Sequence, residues 1–162
     1  MIVVADASPI VVLVNIKHVD VLPSLFGQVI IPIEVAAELS SHKRSDDVRS
    51  IIASPPDWLE IRSPASVEQI PGLHIGEMAA ISLAVELAAD RLIIDEAAGR
   101  KVAVEKGLKI VGTVGVLEVA AERGLIELGP AFERLKGTDF WLPAGFLDSR
   151  LQLFRERHAD QN

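Results

Sequence analysis

The chain predicts an α/β fold in which a parallel sheet is covered by helices on both faces. Three observations carry that expectation. Short, nearly continuous apolar runs at 2–5, 29–31, 91–94 and 109–111 alternate with helical stretches, as strands buried on both faces do. Proline and glycine stand where such elements should begin and stop. Two of the apolar runs end directly on an acid, Asp6 and Asp95, which puts charge at the rim of a sheet.

The elements follow in order. Residues 2–5 form the first strand. Ser8 is a candidate N-cap with Pro9 at the first helical position, opening a helix to about residue 16. A short helix over 19–26 is ended by Gly27. The β-branched run 29–31 is stopped by Pro32, which suits the first turn of a helix running to about Leu39. A polar loop at 42–47 precedes a helix over 48–53, ended by Ser54-Pro55-Pro56-Asp57, and 59–61 reads as a strand. The strongest helix covers 75–89, with Ile81, Val85 and Ala88 marking one face. Strand 91–94 ends on Asp95, helix 97–106 has Gly107 just past it, and strand 109–111 leads through Gly112-Thr113 into a helix over 114–123 closed by Gly124. Right-handed crossovers are the default for such units.

The 162 residues favour one domain, divided here into 1–128 and a C-terminal helical extension, 129–162. That extension carries five of the seven aromatics, among them Phe132, Phe140, Trp141 and Phe146, and an amphipathic helix over 147–157. It either packs back on the domain or serves as an interface. With 49% hydrophobic residues and a mean hydropathy of +0.34, disorder is expected only in the tail 158–162. The absence of cysteine excludes disulfides, thiolate zinc sites and cysteine nucleophiles, and fits a reducing, cytoplasmic compartment. No leader and no membrane span are expected, since the apolar stretch 7–16 is too short. A net charge of −7 argues against wrapping duplex nucleic acid by charge alone. It leaves room for a local basic rim, for which His42-Lys43-Arg44 and Arg100-Lys101 are the candidates.

Asp6, Glu38, Glu77 and Asp95 recur at predicted strand ends and helix termini. A pocket of several carboxylates is costly without a positive occupant, and a divalent metal is the natural one. Ligands of open parallel sheets bind outside the carboxyl ends of the strands, where Asp6 and Asp95 both fall. With Ser8 as the cap, Asp6 is free to bind metal and Ser8 to support a carboxylate or water beside it. Glu34 and Glu38 share a helix face, and spacing does not say which points inward. Gly76 would let backbone approach while Glu77 faces the pocket. Glu96 competes with Asp95, and Thr113 either caps its helix or approaches the site. The four histidines have no ligand spacing, and Gly112-Thr113-Val114-Gly115 lacks the lysine of a phosphate loop.

Taken together, Val3-Val4-Ala5-Asp6-Ala7-Ser8-Pro9, Ile30-Ile31-Pro32 leading to Val35-Ala36-Ala37-Glu38-Leu39, Gly76-Glu77-Met78-Ala79-Ala80-Ile81, Leu92-Ile93-Ile94-Asp95-Glu96 and Val111-Gly112-Thr113-Val114-Gly115 resemble a PIN domain, of the VapC-like branch. The resemblance spans about residues 2–124. It implies a three-layer α/β/α fold with about five parallel strands and a metal-dependent endoribonuclease acting on single-stranded RNA. Asp6, Glu77 and Asp95 would hold Mg²⁺ or Mn²⁺, with Glu38 as outer ligand or water-orienting base. Ser8, Glu96 and Thr113 would support them, and Lys43, Arg44 and Arg100 would meet the RNA. It further implies the toxin of a toxin–antitoxin pair, an antitoxin partner and a homodimer. Two departures stand out: Glu77 occupies a position where Asp is common, and Asp95-Glu96 replaces Thr-x-Asp or Thr-x-Asn. Two rival readings are a phosphoacceptor domain (receiver-like or haloacid-dehalogenase-like) with Asp6 as nucleophile, and a PIN-like binding module without catalysis. Against the dehalogenase form, Ser8 stands where a second Asp is needed.

Overall fold

The structure, a computed structural model, describes residues 1–159. The elements run β1 (Val3–Ala5), α1 (Ala7–Asn15), α2 (Val21–Phe26), β2 (Val29–Pro32), α3 (Ile33–Leu39), α4 (Asp46–Ala53), β3 (Leu59–Arg62), α5 (Ile75–Glu86), β4 (Arg91–Ile93), α6 (Ala97–Glu105), β5 (Ile110–Val111), α7 (Thr113–Glu122), α8 (Leu128–Lys136) and α9 (Phe146–Ala159). One five-stranded sheet has the order β3-β2-β1-β4-β5, and each of its pairings is parallel. Val4 sits opposite Ile30 on one side and Leu92 on the other.

The apolar strands are read on both faces. Val3, Ala5, Val29, Ile31 and Ile93 join the larger core with residues of α1, α2, α3, α7 and α8. Val4, Ile30, Leu92 and Ile94 join a second core with α5 and Ala103 of α6. Alternate side chains leave a strand on opposite faces, so uninterrupted apolar runs are what a three-layer fold requires.

Local differences from the sequence expectation have physical reasons. α1 starts at Ala7, so Asp6 occupies the N-cap position and Ser8 is an exposed first-turn residue. Asp6 nevertheless makes no side-chain cap bond, so its carboxylate is free, though not because Ser8 caps. Pro32 belongs to β2 and precedes α3 as its cap residue. The stripe Ile81, Val85, Ala88 is not the packed face of α5. Val85 is 49% exposed, and Ala88 lies beyond the helix with φ 49°. The helix is instead buried through Gly76, Glu77, Met78, Ala79, Ala80, Ile81, Leu83 and Ala84. It packs at once on β1, β2, β4, α3 and α6, and small side chains permit that close approach. The helical extension contains α8 besides the helix expected over 147–157; Pro130 falls in the first turn of α8, where a missing N–H costs nothing.

The C-terminal extension packs back on the domain. Phe132 and Leu135 are buried in the larger core, Arg134 Nη1 donates to the Ile16 carbonyl at 3.1 Å, and Lys136 bridges to Asp148 of α9 at 2.8 Å. His158 and Ala159 of the expected disordered tail lie in α9, and 160–162 fall outside the described residues. Among those described, no helix is long and apolar enough to cross a membrane.

Candidate functional site

β1 has β2 and β3 on one side and β4 and β5 on the other, so strand order reverses between β1 and β4. A crevice at the carboxyl ends of the strands follows from that reversal. The Asp6 N–H donates to the Ile93 carbonyl at 2.9 Å, which sets the ends of β1 and β4 side by side. Asp6 is only 5% exposed. Asp95 lies two residues beyond the end of β4 and is held from the next strand's end. It accepts from the Thr113 amide at 2.7 Å and the Thr113 hydroxyl at 2.6 Å. Gly112 makes this approach feasible, since a Cβ there would stand 2.8 Å from Asp95 Oδ1 and 2.7 Å from Arg100 Nη1. Arg100 is itself oriented by donating to the Ile94 carbonyl at 2.9 Å.

Glu77 enters from the first turn of α5 and is buried, with no hydrogen-bond partner for Oε2. Glu38 reaches the same place from the last turn of α3. A Cβ on Gly76 would stand 2.6 Å from Glu38 Oε1 and 3.7 Å from Asp6 Oδ1. The glycine leaves room for the Glu38 carboxylate against the start of α5, while Asp6 lies at ordinary contact distance.

The electrostatics carry the marks of a carboxylate cluster. Burial, with smaller additions from the charges of Glu38, Glu77 and Asp95, pushes Asp6 up to about 7, against the pull of the Ala7 amide. Glu77 is raised, chiefly by burial and further by Glu96 and Glu38, with His74 opposing. Asp95 is raised by burial, offset by its two bonds from Thr113 and by the Arg100 guanidinium. The charges of three acids from three other parts of the chain are felt at Asp6, and no cation is among the influences on it.

Two ambiguities resolve. Glu96 is exposed and caps α6, accepting from the Ala98 amide at 3.2 Å, so Asp95 is the acid held inward. Glu38, and not Glu34, acts on Asp6. Asp6, Glu77 and Asp95 open onto a cleft of about 990 Å³, whose lining also includes Ser8, Glu96 and Arg100; Glu38 stands behind Asp6 and Gly76 and is not part of that lining. Lys43 and Arg44 do not line it; they stand in the turn before α4, where Arg44 N–H bonds the Ser41 carbonyl. Thr113 begins α7 and spends its hydroxyl on Asp95.

Sequence reasoning missed the opposite wall. Phe140, Trp141, Leu142, Phe146 and Arg150 line the same cleft, as does Glu118. Arg150 grips buried Glu118 with two bonds of 2.6 and 3.1 Å. The aromatic cluster was visible in the sequence, but nothing local tied it to acids so far away in the chain.

Among the described residues, no three His, Asp or Glu side chains close around one point tightly enough to enclose an ion. The donor set still fits a hard cation. All the acids are oxygen donors, one buried Glu77 oxygen lacks a partner, and Mg²⁺ keeps several waters while using only one or two carboxylates.

A family model described as a PIN domain matches residues 2–156. A solved PilT N-terminus domain protein from the hyperthermophilic archaeon Sulfolobus solfataricus P2 is similar in fold, with a TM-score of 0.54 and 18% identity. That match covers 75% of this chain and 95% of the archaeal one. No curated protein matches the chain.

Proposed function

The chain belongs to the PIN-domain family, and from that premise we propose that it is a metal-dependent endoribonuclease that hydrolyses phosphodiester bonds of single-stranded RNA. PIN domains are commonly nucleases. The observation that supports the reading best is the convergence of Asp6, Glu38, Glu77 and Asp95 on one region, with no cation acting on Asp6 itself. Such mutual repulsion is tolerated where a bound ion relieves it.

Asp6, Glu77 and Asp95 would hold Mg²⁺ or Mn²⁺, partly through water. The chemistry such an ion supplies when bound is Lewis-acid neutralisation of charge on the phosphoryl oxygens. The protein's own groups do the rest. Thr113 locks the Asp95 carboxylate with two hydrogen bonds. Glu38, placed beside Asp6, orients the attacking water and accepts its proton. Water adds to phosphorus as the bond to the 3′ oxygen breaks, leaving a 5′-phosphate and a 3′-hydroxyl. Arg100, at the cleft edge, meets the phosphate chain.

The toxin role, the antitoxin partner and the homodimer belong to the same proposal and rest on the VapC-like resemblance. Growth arrest on expression, relieved by the product of the neighbouring reading frame, is the expected outcome there. The nuclease itself is tested with end-labelled single-stranded RNA. Cleavage in Mg²⁺ or Mn²⁺, abolished by EDTA and by Asp95→Asn, is expected. Acyl-phosphate formation on Asp6, with no RNA cleaved, would transfer the protein to the phosphoacceptor reading.

A further inference from the structure

The cleft is a poor place for a polyanion to bind by charge. It is lined by the carboxylates of Asp6, Glu77, Asp95, Glu96 and Glu118 against the guanidiniums of Arg100 and Arg150, and Arg150 is already committed to Glu118. The chain as a whole carries −7. Nucleic-acid binding normally draws its affinity from phosphate neutralisation. A ligand strand here must find it in something other than its backbone.

The aromatic part of the same lining offers that. Trp141 is 80% exposed, the most exposed large hydrophobic residue of the described chain. Its neighbours are not free: Phe140 and Leu142 pack on the larger core. The segment is tied down locally as well. The Phe140 amide donates to the Thr138 hydroxyl, which donates to the Leu135 carbonyl at 2.7 Å. Pro143 restricts the backbone two residues on, and the Phe146 amide closes back on the Pro143 carbonyl at 3.1 Å. A large indole is thus presented to solvent on an anchored segment, in the same cleft as the acids. A lone exposed tryptophan on a tail would be unremarkable. One held between two half-buried neighbours, in a cleft that Phe146 also lines, is preorganised for a flat ligand.

Building on the nuclease reading, we propose that Trp141 is a stacking platform for an unpaired nucleobase next to the phosphate held at Asp6, Glu77 and Asp95. Stacking is indifferent to charge and tolerant of sequence, because every base presents a π-face. A duplex cannot use it, since its bases are already stacked, so the platform selects single strands. Arg150, fixed by Glu118, lines the same cleft.

The chain has two tryptophans and no tyrosine, so Trp58→Phe leaves Trp141 as the one indole reporter. Its emission is titrated in Ca²⁺ with a single-stranded RNA of about 12 nucleotides, with the same sequence as a duplex, and with inorganic polyphosphate. Quenching by the single strand alone is expected. Trp141→Ala should weaken RNA binding about 5- to 100-fold, with an unchanged melting temperature because the ring is exposed. Trp141→Phe should restore most of the affinity. If Trp141→Ala binds and cleaves RNA as well as wild type, the platform is wrong and the nuclease reading stands. If the single strand quenches Trp141 and Trp141→Ala loses affinity, yet no metal supports cleavage, the platform stands and the nuclease reading falls. Equal quenching by polyphosphate would overturn base stacking. So would a concentration-dependent blue shift without RNA, which would give this surface to a second copy of the chain.

Discussion

The cleft has two walls of opposite character. The acid wall is built on strand ends and helix termini, is buried, and is electrostatically strained: Asp6 is pushed up to about 7 and Glu77 carries a buried oxygen with no partner. The aromatic wall is built on the loop between α8 and α9 and on the start of α9, is partly to largely exposed, and is held by packing and ion pairs. The first wall spends stability on placing like charges together; the second presents apolar surface at little structural cost. Chemistry that must not vary is set into the sheet, while recognition sits on a segment that can change without disturbing it.

If that division is right, the largest loss of activity comes from the acid wall. Asp6→Asn should reduce RNA cleavage by about 10²- to 10³-fold, judged by the cost of removing one charge-stabilising group from an active site, with the fold intact by circular dichroism. Residual activity near wild type would remove Asp6 from the centre.

Stability should move the opposite way, and with pH. A raised acid binds its proton more readily in the folded chain than in the unfolded one, so between the ordinary Asp value of 3.8 and about 7 the folded state holds more protons. Stability from Asp6 therefore falls as pH rises through that window and is flat above it. Raised Glu77 and Asp95 act in the same direction. Ion-free protein should melt about 3 °C or more higher at pH 5.5 than at pH 8. Asp6→Asn should flatten that slope, and Mg²⁺ should raise the melting point at pH 8 for wild type more than for the variant. Equal Mg²⁺ shifts in both would break the link between the acids and an ion.

A smaller effect is expected where the walls meet. Arg150→Ala leaves the carboxylate of Glu118 unpaired while Glu118 is 6% exposed. Because the arginine side is 41% exposed, the loss should be about 1 to 2 kcal/mol by urea unfolding. Glu118→Gln combined with Arg150→Met should recover part of it. A full buried-pair penalty would mean that α9 is more integral to the domain than the aromatic wall's exposure implies.

The smallest effect belongs to the turn before α4. Lys43→Ala should leave KM for RNA within about twofold, since surface charges remote from a site contribute little once screened by salt. A larger rise in KM would extend the RNA path beyond the cleft.

Much of this was readable in the residues themselves. Continuous apolar runs such as 2–5 and 91–94 announced strands buried on both faces, and the acids ending them announced the rim, because burial periodicity and strand termination are local properties. The chain also narrowed the acids to a few positions, through their place at strand ends and helix termini. Tertiary structure alone chose between Asp95 and Glu96 and between Glu38 and Glu34: each choice depends on which side chain a distant glycine or hydroxyl lets inward, Gly112 and Thr113 for one, Gly76 for the other. It also alone brought Trp141 and Arg150 across from the acids, because spatial convergence of segments far apart in the chain is a property of packing, which no window of sequence contains.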